Sequence, residues 1–134
     1  MEIENTLSGD SSLVDPGFDT PPHLPMELAR RWFDQAVELG VREPYGMVLC
    51  TVDTSGRPSS RVLLVKEVVE DGLVFGGSAT SKKGLEMEAN NQIAGNFWWR
   101  ETMQQMRFQG TVIQLPLEQA DQVFQHRDEA EACL

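Results

Sequence analysis

Cysteine is scarce. The 134 residues hold two, Cys50 and Cys133. Two do not make a disulfide framework, and a Cys inside an apolar run reads as a small buried hydrophobe. The expectation is a reduced, cytoplasmic protein. Histidine is as scarce. His23 lies in a Pro-rich leader and His126 in a predicted helix, and neither joins a cluster with metal-ligand spacing. No metal site is expected. No apolar run approaches the roughly 20 residues of a membrane-spanning helix. The N-terminus, Met1-Glu2-Ile3-Glu4-Asn5, is acidic and lacks the apolar stretch of a secretory signal. Bases are few beside acids, 11 against 21, for a net charge of −10. That balance argues against nucleic acid and against anionic membranes, both of which need a basic face. No Ser/His/Asp or Cys/His constellation has supporting context. No side chain is therefore assigned as catalytic, and any catalysis belongs to a bound cofactor.

What is present is unevenly spread. Residues 1–40 hold eight acids and two bases, 41–110 hold eight of each, and 111–134 hold five acids and one base. The acidity sits at the two ends. The length suits one domain. Residues 1–22 mix Ser, Gly, Asp, Thr and Pro, and read as a disordered or loosely attached arm. From Met26 to Leu39 apolar residues recur at helical spacing, and Gly40 ends the run. After Pro44 the pattern becomes strand-like. Runs at 47–52, 59–69 and 73–75 are separated by turn residues, with Asp71-Gly72 as a hairpin signal. A short helix is predicted over Thr80–Asn90, then strands over 93–99 and 103–115, with Gly110 as a bulge or close-approach point. Pro116 opens a final helix. The expected class is mainly β (α+β): a small antiparallel barrel or half-barrel with flanking helices.

Three segments could carry chemistry. In Gly76-Gly77-Ser78-Ala79-Thr80-Ser81-Lys82-Lys83-Gly84, two glycines end a strand and two lysines start a helix. Glycines let backbone approach a ligand, and a helix N-terminus favours anions. This is a phosphate cradle in type, although a solvated Lys-Lys at an ordinary helix start fits the same residues. In Arg61-Val62-Leu63-Leu64-Val65-Lys66, two cations bracket four apolar residues. Either they reach solvent at strand ends or they face an anionic ligand. Residues five apart on a regular strand point to opposite faces. Arg61 and Lys66 thus need a bulge between them, or they serve different parts of a ligand. In Phe97–Gln105, the pair Gln104-Gln105 could donate to and accept from a flat heteroaromatic ring, or could be plain solvated strand polars.

Together these segments resemble the pyridoxamine 5'-phosphate oxidase family of flavoproteins, over roughly residues 25–127. The motif residues are Arg61 through Lys66, Val74-Phe75 followed by Ser81-Lys82-Lys83, then Gln104-Gln105 and Gly110. The resemblance implies an FMN-binding split β-barrel over 23–134 that forms a homodimer with FMN at the interface. It implies that Arg61, Lys82 and Lys83, with Ser81 beside them, hold the FMN phosphate. Gly76 and Gly77 would pass close to the flavin. Val62, Leu63 and Leu64 would line it through backbone, and Gln105 would reach it from the second copy. Lys66 would lie near flavin and substrate, and Arg127 would contact substrate. Small-molecule substrate and oxygen are the implied partners, with no nucleic acid and no membrane.

Within the family, Trp99–Gln105 and Gly40–Tyr45 look most like the phenazine-biosynthesis branch. That branch aromatises reduced phenazine precursors with FMN and oxygen. Where vitamin B6 oxidases carry a substrate-phosphate Tyr and a Ser, this chain has Val123 and Glu131. Where they carry Tyr-Thr beside the flavin, it has Gly76-Gly77. The chain also stops at Leu134, inside a predicted helix, where family members continue, so a C-terminally truncated domain is expected. A pyridoxine/pyridoxamine 5'-phosphate oxidase and a non-catalytic flavin- or haem-binding module are the two other functions kept open.

Overall fold

The computed structural model describes residues 9, 10, 12, 13, 20 and 22–116. Most of the 1–22 arm, the segment after Pro116 where a final helix is predicted, and Val123, Arg127 and Glu131 lie outside the described residues.

Helix α1 spans Pro25–Glu38. Pro25 sits in its first turn, where its missing N–H costs nothing. Gly40 ends it at φ +76°, in the left-handed region. The Gly40 amide bonds to Val37 O and the Val41 amide to Ala36 O. Those two bonds close the last turn, and Val41 folds back buried on it. The buried stripe is Ala29, Phe33 and Ala36.

Five strands follow: β1 Gly46–Val52, β2 Pro58–Val69, β3 Gly72–Phe75, β4 Gln92–Trp99 and β5 Gln104–Thr111. Helix α2, Lys82–Ala89, connects β3 to β4. The sheet order is β3-β2-β1-β4-β5, and every neighbouring pair is antiparallel. This is a half-barrel sheet of the expected class, with two helices.

Alternation sorts the strands into two faces. Met47, Leu49, Val65, Phe97 and Trp99 face α1 and pack with Phe33, Ala36 and Val41. Phe33 centres the core. It stacks on Tyr45 at 5.3 Å and meets Phe97 and Trp99 edge-on at 5.0 and 5.4 Å. Each such pair adds about 0.5–1.5 kcal/mol beyond burial. A cleft of about 910 Å³ stays open between α1, β3 and β5, lined by Trp32, Leu73, Phe75, Met106 and Phe108 among others. The opposite face exposes apolar surface: Val62 is 71% exposed and Trp98 48%.

Three local expectations are corrected. Strand β5 ends at Thr111, because its partner β4 begins at Gln92, opposite Thr111. Gly110 is not a bulge: it pairs regularly with Ile93, and within the described chain a Cβ there would meet nothing within 4 Å. In the β2–β3 hairpin the loop residues are Glu70 and Asp71, and Gly72 opens β3 opposite Val69.

Candidate functional site

Past Leu49, the inner face of β1 and β2 turns polar. Thr51 lies opposite Ser59 and Leu49 opposite Arg61. Arg61 Nη1 donates to Leu49 O at 3.1 Å and to Thr51 Oγ1 at 2.8 Å, and Nη2 donates to Ser59 Oγ at 2.8 Å. Both hydroxyls donate onward to one carboxylate oxygen, Glu86 Oε2, Ser59 at 2.7 Å and Thr51 in a short bond. Glu86 comes from α2 and is 6% exposed. Arg61 Nη2 lies 3.7 Å from Oε2 and Lys82 Nζ 3.8 Å from Oε1. The hydrogen bonds from Thr51 and Ser59, then the charges of Lys82 and Arg61, hold the Glu86 carboxyl below the usual carboxylate range against the effect of burial.

The helix start beside this cluster is capped. Ser81 Oγ accepts from the Gly84 amide at 3.2 Å and donates to Ser78 O at 2.7 Å. Lys83 Nζ donates to Ser81 Oγ at 3.3 Å. Its stem lies over Gly77, where an added Cβ would stand 2.8 Å from Lys83 Cε. Gly77 is thus required for the lysine's present path. Gly76 is half-buried and Gly77 exposed.

The structure therefore brings Arg61 and Lys82 to one carboxylate, and gathers Gly77, Ser81 and Lys83 around the α2 N-terminus. It separates other expected residues. Lys66 is the bulged residue of β2: the register with β3 shifts between Val65 and Glu67. The bulge interrupts the regular alternation between Arg61 and Lys66. Inward positions run Leu63, Val65, then Val68, with the extra residue of the bulge between the last two. Val62 and Leu64 point away from α1, and Leu63 packs against the core. Gln105 sits on β5 opposite Trp98, with β1 and β4 between it and β2. Its neighbour Gln104 keeps a buried Oε1 without a hydrogen-bond partner. Arg127 lies outside the described residues.

Sequence reading missed Glu86, Thr51 and Ser59. The one available signal was spacing: Glu86 follows Lys82 by four residues, one helical turn on the same side. Thr51 and Ser59 flank the 53–58 turn, and nothing in their local sequence marks them as a pair. Among the described residues no group of acids, His or Cys could hold a metal ion, and no helix is long and apolar enough to cross a membrane.

This geometry has known relatives. Dihydrophenazinedicarboxylate synthase of Pseudomonas chlororaphis is 34% identical over 125 residues, covering 93% of this chain and 56% of that protein. A pyridoxine/pyridoxamine 5'-phosphate oxidase of Haemophilus influenzae is 40% identical over 103 residues, covering 77% and 49%. The crystal structure of PhzG from Burkholderia lata, in complex with tetrahydrophenazine-1-carboxylic acid, superposes with a TM-score of 0.84 at 34% identity, over 87% of this chain and 57% of that one. The chain thus spans about half the length of the curated relatives it matches. Residues 33–132 match the sequence model described as pyridoxamine 5'-phosphate oxidase. On that match and those identities, the chain belongs to the pyridoxamine 5'-phosphate oxidase family.

Proposed function

We propose that the chain is the FMN-binding part of an oxidase that aromatises a reduced heteroaromatic ring of the dihydrophenazine type. The ring loses a hydride and a proton, and dioxygen takes both up as hydrogen peroxide. Bound FMN would supply the hydride transfer between the two. The observation that carries the reading is the similarity to a dihydrophenazinedicarboxylate synthase along 93% of the chain.

The donor set fits the cofactor. Arg61 and Lys82 lie beside one carboxylate, Glu86, and with Lys83 on Ser81 at the helix start the three cations keep two positive charges in excess. A phosphomonoester carries about −1.5 to −2 at neutral pH. Arg61, Lys82 and Lys83 would hold the phosphate, with Ser81 ordering the helix start. The absence of a Cβ at Gly76 and Gly77 would leave room at the ring. Val62 to Leu64 would offer backbone groups, and Lys66 would stand by the ring and substrate. The exposed apolar face with Val62 and Trp98 supports a second copy as partner, which would bring its Gln105 to the flavin. Arg127 would contact substrate. A cytoplasmic setting is part of this reading, supported by a chain with only two cysteines.

The test is a spectrum and a turnover assay. The purified protein should show flavin absorbance, or gain it when titrated with FMN. It should then release peroxide with a dihydrophenazine carboxylic acid. A colourless protein indifferent to FMN would falsify the reading. The 40% identity to a vitamin B6 enzyme supports a second substrate. Peroxide release with pyridoxine 5'-phosphate instead of the dihydrophenazine would select it.

A further inference from the structure

Glu86 is a buried carboxylate among residues assigned to an anion. A carboxylate there opposes a phosphate unless it does something for the cations. The hydrogen-bond directions say what. Each hydroxyl carries one proton. Thr51 and Ser59 both give theirs to Glu86 Oε2, so their lone pairs face Arg61 and accept from it. Glu86 thereby fixes the polarity of both hydroxyls. The guanidinium has five N–H groups, and three are spent inward on Leu49 O, Thr51 and Ser59. One on Nε and one on Nη2 remain for an outside acceptor. Arg61 is a long side chain that would otherwise sample many rotamers. Here it is anchored from behind at three points, and α2 is tied to the sheet by the same carboxylate.

We propose that Glu86 is the positioning residue of the phosphate site: acting through Thr51 and Ser59, it holds the Arg61 guanidinium ready for a phosphomonoester. The proposal rests on the FMN reading above. It assigns Glu86 no contact with the ligand. It also sets the charge of the cradle, since the carboxylate lowers three positive charges to two.

The test compares two ligands that share a ring and differ in the phosphate. FMN and riboflavin are titrated into the full chain, with flavin fluorescence as the readout. Wild type should prefer FMN. Glu86→Gln should lose about tenfold in FMN affinity and keep riboflavin within about twofold, as expected for loss of charge-assisted anchoring. Thr51→Val with Ser59→Ala should lose as much, although Glu86 and its charge remain. This second variant also serves if Glu86→Gln does not fold. In an Arg61→Met background, Glu86→Gln should add no further loss of preference, because the acid acts through the arginine.

Tighter FMN binding in Glu86→Gln would overturn the proposal, since the acid would then merely repel phosphate. Equal weakening of both flavins would overturn it as well, leaving Glu86 a general scaffold residue. In either case the FMN reading stands, because wild type still prefers FMN. A wild type with no preference for FMN over riboflavin removes that reading and this inference with it.

Discussion

Strand β1 runs through two neighbourhoods on one face. Met47 and Leu49 lie in an apolar core, where Phe33, Phe97 and Trp99 meet edge to face. Two residues on, Thr51 is as deeply buried but lies in a polar cluster with Ser59, Arg61 and Glu86. The first neighbourhood is held by contact area, which is non-directional and tolerates small shifts. The second is held by hydrogen bonds whose donors and acceptors must match one by one. Disturbing the first should cost stability with little effect on ligand choice. Disturbing the second should change ligand choice, and the stability it costs should depend on pH.

The largest expected effect is on the apolar side. Phe33 is 1% exposed and touches three other aromatic rings. Phe33→Ala should cost about 3–5 kcal/mol, as for other large-to-small core changes. Urea unfolding followed by Trp fluorescence measures it. The FMN-to-riboflavin preference of the folded fraction should not move, and a change in that preference would break the division between the two neighbourhoods.

On the polar side, Arg61→Met should reduce FMN affinity by about 10- to 100-fold relative to riboflavin. That range reflects hydrogen bonds to a charged group worth about 1.5–3 kcal/mol. Isothermal titration with each flavin gives the ratio. An equal loss for both would take Arg61 out of the phosphate site.

A smaller effect sharpens the line between the regions. Trp99 sits in the core but also donates Nε1–H to Pro44 O at 2.9 Å. That is a directed bond inside the apolar side. Trp99→Phe should cost about 1 kcal/mol from the hydrogen bond, plus the loss of ring area. A denaturation midpoint that does not move would mean that the core holds the Pro44 turn by contact alone.

The two neighbourhoods also differ in how far the sequence announces them. The α1 stripe with Phe33 and Ala36 and its Gly40 stop are visible as a period of 3.6, and the strands at 47–52 and 59–69 as short apolar, β-branched runs between turn residues. Which residues of a strand face inward is not legible there, since Val48 and Cys50 are as apolar as Met47 and Leu49. Arg61, Lys82 and Lys83 stand out because cations in or beside apolar runs are uncommon. Glu86 does not stand out. A Glu on a short charged helix looks like a solvated residue, and its burial depends on how α2 is laid against β1. Ser59 is paired with Thr51 by the register of a hairpin, across seven residues of chain. Such a match exists only after strands pair, so it leaves no local pattern. The bulge at Lys66 is of the same kind. The spacing of 61 and 66 raised the need for a bulge, and only the β2–β3 register shows one.

The smallest effect is the change of stability with acid, and it separates the two regions. Thr51 and Ser59 hold the Glu86 carboxyl below its ordinary value of 4.5. A carboxyl depressed in the fold contributes stability above its unfolded value, and that contribution is lost as pH falls through the folded value. Between pH 7 and about 5 the contribution is complete. Below 4.5 it declines, because protonating Glu86 removes the charge that orients both hydroxyls. Asp53 adds a slope of the same sign, lowered first by the Ser55 hydroxyl and then by the Arg57 amide. Glu86→Gln should therefore lack part of the acid slope, and Asp53→Asn another part. Phe33→Ala should keep the whole slope and shift the curve downward at every pH, since the rings it touches carry no carboxyl. Urea midpoints from pH 7 to pH 3 on the four proteins decide it. A Glu86→Gln curve parallel to wild type through that range would mean that the carboxylate is not the anchor of the polar end, and the contrast along β1 would collapse to a difference in packing alone.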